Sequence, residues 1–159
     1  MTLTTSGSLD LLLDELAADG RLVHVERIPP RPARHAALAR PLQGPAADRV
    51  PEGGLWSHQV EAIDHVRAGR SVAIATGTAS GKSLCYQLPI VEAITTGPAP
   101  ATALALFPTK ALAQDQLRSI TEMAAPGVVA VTYDGDTGPE ARAWARTNAN
   151  VVLTNPDML

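Results

Sequence analysis

The sequence predicts an α/β fold: a parallel sheet with helices on both faces. Two observations carry this. Four short runs, SVAIA (71–75), TALALF (102–107), VVAVT (128–132) and NVVLT (150–154), are almost continuously apolar, as strands covered on both sides must be. Each is followed by a loop or by a stretch whose apolar residues recur at helical spacing, so strand and helix alternate as in crossover-connected sheets.

Taken in order, Ser8 can cap a helix over 9–18 that carries Leu9, Leu12, Leu13 and Leu16 on one side and stops at Gly20. LVHVE (22–26) alternates like a short edge strand. Six prolines fall between 29 and 51 and none between 52 and 88, which denies 29–51 a long helix or a central strand. That stretch reads as an extended leader lying over something else. Residues 21–51 hold six Arg against Glu26 and Asp48, so the leader is either a solvated linker or a basic arm near a nucleic-acid backbone. The expected division is a leader over 1–51 and a second domain over 52–159. In that domain Ser57 caps a helix over 58–69 with Val60, Ile63 and Val66 inward and Gly69 near its end. The strand 71–75 leads through a loop to a helix from about Lys82, with Leu84, Leu88 and Val91 on one face and Pro89 set to kink it. A helix over 110–123 turns Ala113, Leu117 and Ile120 inward, and one over 139–147 groups Ala141, Trp144 and Ala145.

Composition excludes several classes. With 45% hydrophobic and 18% charged residues, the chain can bury a core and is not wholly disordered. No run reaches the roughly 18 apolar residues of a membrane span. The leucine cluster LDLLLDEL contains acids and lacks a basic lead, so it is no signal peptide. A single cysteine, Cys85, forms no internal disulfide, and the expected location is cytoplasmic. The four His residues (24, 35, 58, 65) lack metal-ligand spacing with it. A net charge of −3 gives no global attraction to nucleic acid, so any such contact needs local placement.

The strongest chemical signal is TGTASGKS at 76–83. Glycine, lysine and serine between a strand and a helix bring backbone N–H groups and the positive helix end to one point, which suits phosphate. Gly81 permits close approach, Lys82 can reach β- and γ-phosphates, and the Ser83 hydroxyl can ligate Mg²⁺. The strict pattern begins with Gly, where this chain has Thr76 and its first Gly at 77. The alternative is an ordinary Gly/Ser-rich turn.

With two further segments, this loop points to one family. LWSHQVEAI (55–63), TGTASGKS and FPTKALAQDQ (107–116) resemble, in order and spacing, the Q-motif, phosphate loop and motif Ia of superfamily-two DEAD/DEAH-box helicases. The resemblance implies a RecA-like lobe that binds ATP with Mg²⁺. Gln59 would read adenine, an amide being able to donate and accept against its N6/N7 edge; alone it would pass for a solvent-facing residue. The nucleotide would lie along Thr76, Gly77, Thr78, Ala79, Ser80, Gly81, Lys82 and Ser83, with Lys82 the catalytic lysine. Thr109 and Lys110 would touch a nucleic-acid backbone, DNA being favoured over RNA. TYDGDT (132–137) and TNPDML (154–159) are similar to a narrower branch, the large bacterial helicases resembling mitomycin repair factor A. Thr154, Asn155 and Pro156 would then approach the bound strand, while Asp134 and Asp136 read better as turn residues.

The family also needs a D-E-x-[DH] strand end, motif III and a second lobe bearing an arginine finger, and none is written in these residues. The expectation is therefore a lobe truncated before that strand, which binds ATP but neither hydrolyses it nor unwinds a duplex alone. The missing strands would flank 71–75, leaving its backbone without neighbours. A different phosphate-loop enzyme and a non-enzymatic remnant that binds nucleotide or nucleic acid weakly are the competing readings.

Overall fold

The computed structural model describes residues 6–29 and 32–158, so Pro30 and Arg31 of the leader and Leu159 of the last segment lie outside the described residues. The chain divides into two compact units, Met1–Pro32 and Ala33–Leu159.

In the first unit, helix α1 spans Ser6–Ala18. It begins before Ser8, which is therefore not its cap. Gly20 adopts φ +67°, and the N–H groups of Arg21 and Leu22 fold back onto the Leu16 carbonyl at 3.0 and 3.1 Å, a glycine-terminated helix end. Leu9 and Leu12 are exposed, whereas Leu13 and Leu16 are half-buried. The edge strand expected over 22–26 is not formed. A strand exists only through a ladder partner, and none is present among the described residues of this unit.

The second unit opens with an extended strap that lies over two helices. Residues 33–56 run extended, make one bridge between His35 and Trp56 and include a 3-10 turn at Gly44–Arg49. The strap buries Leu42, Ala46 and Leu55 against Val60 and Ile63 of α2 (Ser57–Arg67) and Leu88 and Val91 of α3 (Leu84–Thr96). Polar contacts hold it there. Arg67 pairs with Glu92 at 2.9 Å in a largely buried bridge, donates to the Pro41 carbonyl at 3.0 Å, and Glu92 accepts the Gln43 N–H at 2.9 Å. Arg49 donates to the carbonyls of Met123 and Ala124, so this leader cation serves the fold. Helix α3 runs through Pro89, which is buried and leaves the Cys85 carbonyl without its helical donor.

Strand β1 (Ala103–Leu106), helix α4 (Lys110–Glu122), strand β2 (Ala130–Thr132), helix α5 (Pro139–Asn148), strand β3 (Val151–Thr154) and a 3-10 turn at Pro156–Met158 complete the unit. The strands form a parallel sheet in the order β1-β3-β2, with Ala103 opposite Val151 and Leu106 opposite Thr154. Val151 and Leu153 turn to one face and pack with Ala113 and Ile120 of α4 and Ile90 and Ile94 of α3. Val152 and Leu104 turn to the other, where Ala145 of α5 shares their cavity. Helices thus lie on both faces.

Three expectations fail locally. The 71–75 run is not a strand. Val72 and Ile74 are half-buried, but no described strand lies beside them to take their backbone groups. The cap of α2 is Trp56, not Ser57, because the Gln59 side chain reaches back to the Trp56 N–H at 2.8 Å, while Ser57 donates its own N–H to Arg34. Val66, Ala141 and Trp144 are exposed rather than inward. The buried stripe of α2 runs through Gln59, Val60, Ala62 and Ile63, and α5 buries only Ala145.

Candidate nucleotide and nucleic-acid site

The loop over 76–83 folds around its own lysine. Lys82 Nζ donates to the carbonyls of Thr76 at 3.1 Å and Gly77 at 2.6 Å and lies 3.4 Å from Ser80 Oγ. Ser80 Oγ donates to the Gly77 carbonyl at 2.9 Å and sits 2.7 Å from Thr76 Oγ1. Thr78 and Ala79 form the turn, with Ala79 at φ +56°, a left-handed conformation uncommon outside glycine. The loop therefore gathers one cation and several oxygens at the start of α3. A bound phosphate would compete for the same ammonium.

Two residues of α2 fix the loop from one side. Gln59 is 4% exposed and donates its amide to the Gly81 carbonyl at 3.0 Å, while its oxygen holds the Trp56 N–H. Each end of that amide keeps one further bonding position. His58 Nε2 lies 2.9 Å from the Ser80 carbonyl. From the other side comes α4: Ser83 Oγ donates to Gln116 Oε1 at 3.2 Å, and the Tyr86 hydroxyl donates to the same oxygen. Burial pushes the Tyr86 phenol up from its ordinary value, partly opposed by the Ser83 hydroxyl. His58 and Gln116 were not singled out in the sequence. Gln116 closes the FPTKALAQDQ segment, but nothing in residue type or spacing assigns it to the loop.

The nucleic-acid candidates collect at the C-terminal ends of the strands, where open α/β sheets take ligands. Thr109 caps α4, its hydroxyl accepting the Leu112 N–H at 3.2 Å. Lys110 is exposed and paired with Asp136, whose hydrogen bond raises its pKa above the usual lysine value. Asp136 belongs to a closed turn: its N–H donates to Asp134 Oδ1 at 2.9 Å, and Thr137 Oγ1 accepts the Asp134 N–H at 2.9 Å. Arg142 locks the turn from α5 through the Thr137 and Asp134 carbonyls at 2.7 and 3.1 Å. Thr154 is buried and donates to the Tyr133 carbonyl, whereas Pro156 is exposed and Asn155 half-buried.

Cys85, one residue into α3, is 1% exposed. Burial raises its thiol pKa, with the backbone and Lys82 pulling weakly the other way. It is expected to resist a disulfide-exchange reagent such as DTNB in native buffer at pH 8 and to react fully in denaturant. Rapid native labelling would contradict its burial.

Comparison with known proteins bears on the same residues. The chain matches the DEAD/DEAH box helicase family over residues 56–159. It is 40% identical over 144 residues to ATP-dependent helicase HRQ1 of Saccharomyces cerevisiae, covering 87% of this chain and 13% of that protein. Over 158 residues it is 38% identical to the uncharacterized ATP-dependent helicase YprA of Bacillus subtilis, covering 96% of this chain and 21% of the relative. The solved structure of the DUF1998 helicase MrfA bound to DNA and AMPPNP superposes with a TM-score of 0.76 at 37% identity, over 92% of this chain and 22% of that one. The chain thus spans about a fifth or less of the length of these relatives.

Proposed function

Because the chain belongs to the DEAD/DEAH box helicase family, we propose that Ala33–Leu159 is the nucleotide-binding portion of an ATP-dependent DNA helicase or translocase, working in the cytoplasm in DNA repair. The observation that carries this reading is the convergence of the 76–83 loop, Gln59 and α4 on Lys82 and Ser83. In it, Gly77 to Gly81 wrap the phosphates, Lys82 exchanges its loop carbonyls for phosphate oxygens, and Gln59 meets the adenine edge. Thr76 holds Ser80 in place. The DNA-bound relative supports DNA as the polymer. Thr109 and Lys110 would meet its backbone, Lys110 leaving Asp136 for a phosphate, with Asn155 and Pro156 beside them. Thr154 would act by shaping that edge, since its hydroxyl is already engaged.

The donor set fits Mg²⁺ in one respect. That ion takes oxygen ligands, keeps several waters and leans on substrate phosphates, and Ser83 Oγ, with its proton directed to Gln116, offers such an oxygen. When bound, the ion would neutralise charge on the phosphates. The carboxylates that complete such a site in the family have no counterpart among 76–159 in a D-E-x-[DH] arrangement, nor does an arginine finger from a second lobe, a group worth on the order of 10³–10⁵ in rate. Hydrolysis by these 159 residues alone is therefore not expected, and the second lobe is assigned to the whole protein.

The test is titration with a fluorescent ATP analogue. The chain should bind it, and Lys82→Ala should weaken binding roughly 10- to 100-fold, as loss of charged hydrogen bonds predicts, with no phosphate release by either protein. Binding indifferent to Lys82 would remove the phosphate-loop assignment; Lys82-dependent phosphate release would show that the chain is catalytically complete.

A further inference from the structure

The Ser83 hydroxyl has one proton and two lone pairs. To act as a ligand through oxygen it must point the proton elsewhere, and a hydroxyl next to a donor would instead turn a lone pair away from the ion. The Ser83 acceptor is Gln116 Oε1, 3.2 Å away; the Tyr86 hydroxyl, also beside Ser83, spends its own proton on that Gln116 oxygen. Both lone pairs of the oxygen are thus used and the amide has a defined orientation. Tyr86 and Gln116 are half-buried, which limits competition from water. Gln116 lies on α4, two turns after Thr109 and Lys110 at the start of the same helix. Neighbouring Gln87 donates to Ser119 at 3.1 Å, a second tie that keeps α3 and α4 in register.

Resting on the phosphate-loop reading, we infer that Gln116 is a positioning residue: it fixes the Ser83 hydroxyl as a donor toward α4, so that the oxygen presents its lone pairs to the nucleotide-bound cation. It touches neither nucleotide nor DNA. Because it rides on the helix whose first turn is the candidate DNA contact, it also joins the cation ligand rigidly to that turn.

The experiment measures affinity of the full 159-residue chain for a fluorescent ADP analogue as Mg²⁺ is titrated, and separately in excess EDTA. In Gln116→Leu the Mg²⁺-dependent gain in affinity should fall by about 3- to 10-fold, the loss of one hydrogen bond, while affinity in EDTA stays within about two-fold of wild type. Gln116→Glu keeps an acceptor and should retain the gain. Gln116→Met, which preserves length and helix propensity, replaces the leucine variant if circular dichroism shows that variant unfolded. In a double-mutant cycle with Ser83→Ala the effects should not add. An unchanged Mg²⁺ dependence, equal losses with Mg²⁺ and EDTA, or additive effects would overturn the inference while leaving the phosphate loop standing. Failure of the wild-type chain to bind nucleotide in either condition would overturn both.

Discussion

Leu88→Ala should lower the unfolding free energy by about 3–5 kcal/mol, the upper part of the range for emptying a buried leucine site. Leu88 is 0% exposed and belongs to the cluster formed with Leu42, Ala46, Leu55, Val60, Ile63, Val91 and Ala125. This cluster is the only apolar connection the strap has to α2 and α3 within the described core. Its walls are a helix with a proline inside it and a segment without secondary structure over much of its length; a shift of α3 would break its Arg67–Glu92 bridge to α2, and a shift of the strap would break its hydrogen bonds to Arg67 and Glu92. Typical total stabilities are about 5–15 kcal/mol, so the variant should be near its unfolding midpoint at mild urea concentrations. Urea unfolding followed by circular dichroism checks this. A loss below about 1 kcal/mol would mean that the site collapses freely and that the strap is not packed as described.

The second large effect is expected at Gly81. Its φ is +63°, and a Cβ added there would sit 2.5 Å from Gln59 Nε2. Alanine at this position carries the left-handed penalty of about 1–2 kcal/mol and in addition drives Gln59 from the Gly81 carbonyl, a bond worth about 0.5–1.5 kcal/mol. Gly69 offers the control: its φ is +74°, but nothing lies within 4 Å of an added Cβ. Gly69→Ala therefore reports backbone strain alone. Gly81→Ala should be the more destabilised of the two in thermal unfolding and should also lose nucleotide affinity, which Gly69→Ala should keep. Equal behaviour would show that the loop accommodates the methyl group and that Gln59 does not hold it.

How far these features were legible depends on whether they are local. The periodicities of α3, α4 and α5 and the apolar runs of β1, β2 and β3 are written in consecutive residues, and each element formed within about two residues of its expected span. The 76–83 segment proposed to hold phosphate is likewise written in consecutive residues. The 71–75 run shows the limit: its composition is that of a strand, but a strand is a relation between two segments, and here no described partner exists. Val66 and Trp144 fail for a related cause, since periodicity shows that a face exists without showing how wide the neighbour covering it is. Pairs such as Ser83 with Gln116 and Lys110 with Asp136 join residues 33 and 26 positions apart, and no pattern in either segment announces them. The strap was legible in what prolines forbid, not in which apolar residues it inserts.

The contact between Trp56 and His58 has a practical consequence. The chain holds two tryptophans. Trp144 is 52% exposed on α5, whereas Trp56 is half-buried and meets the His58 ring edge-on, with centroids 5.7 Å apart. The same imidazole reaches the Ser80 carbonyl, so any rearrangement of the loop pulls on a ring that touches an indole. The fluorescence of Trp56 is therefore a built-in optical readout of the loop, read against the emission of the solvent-exposed Trp144.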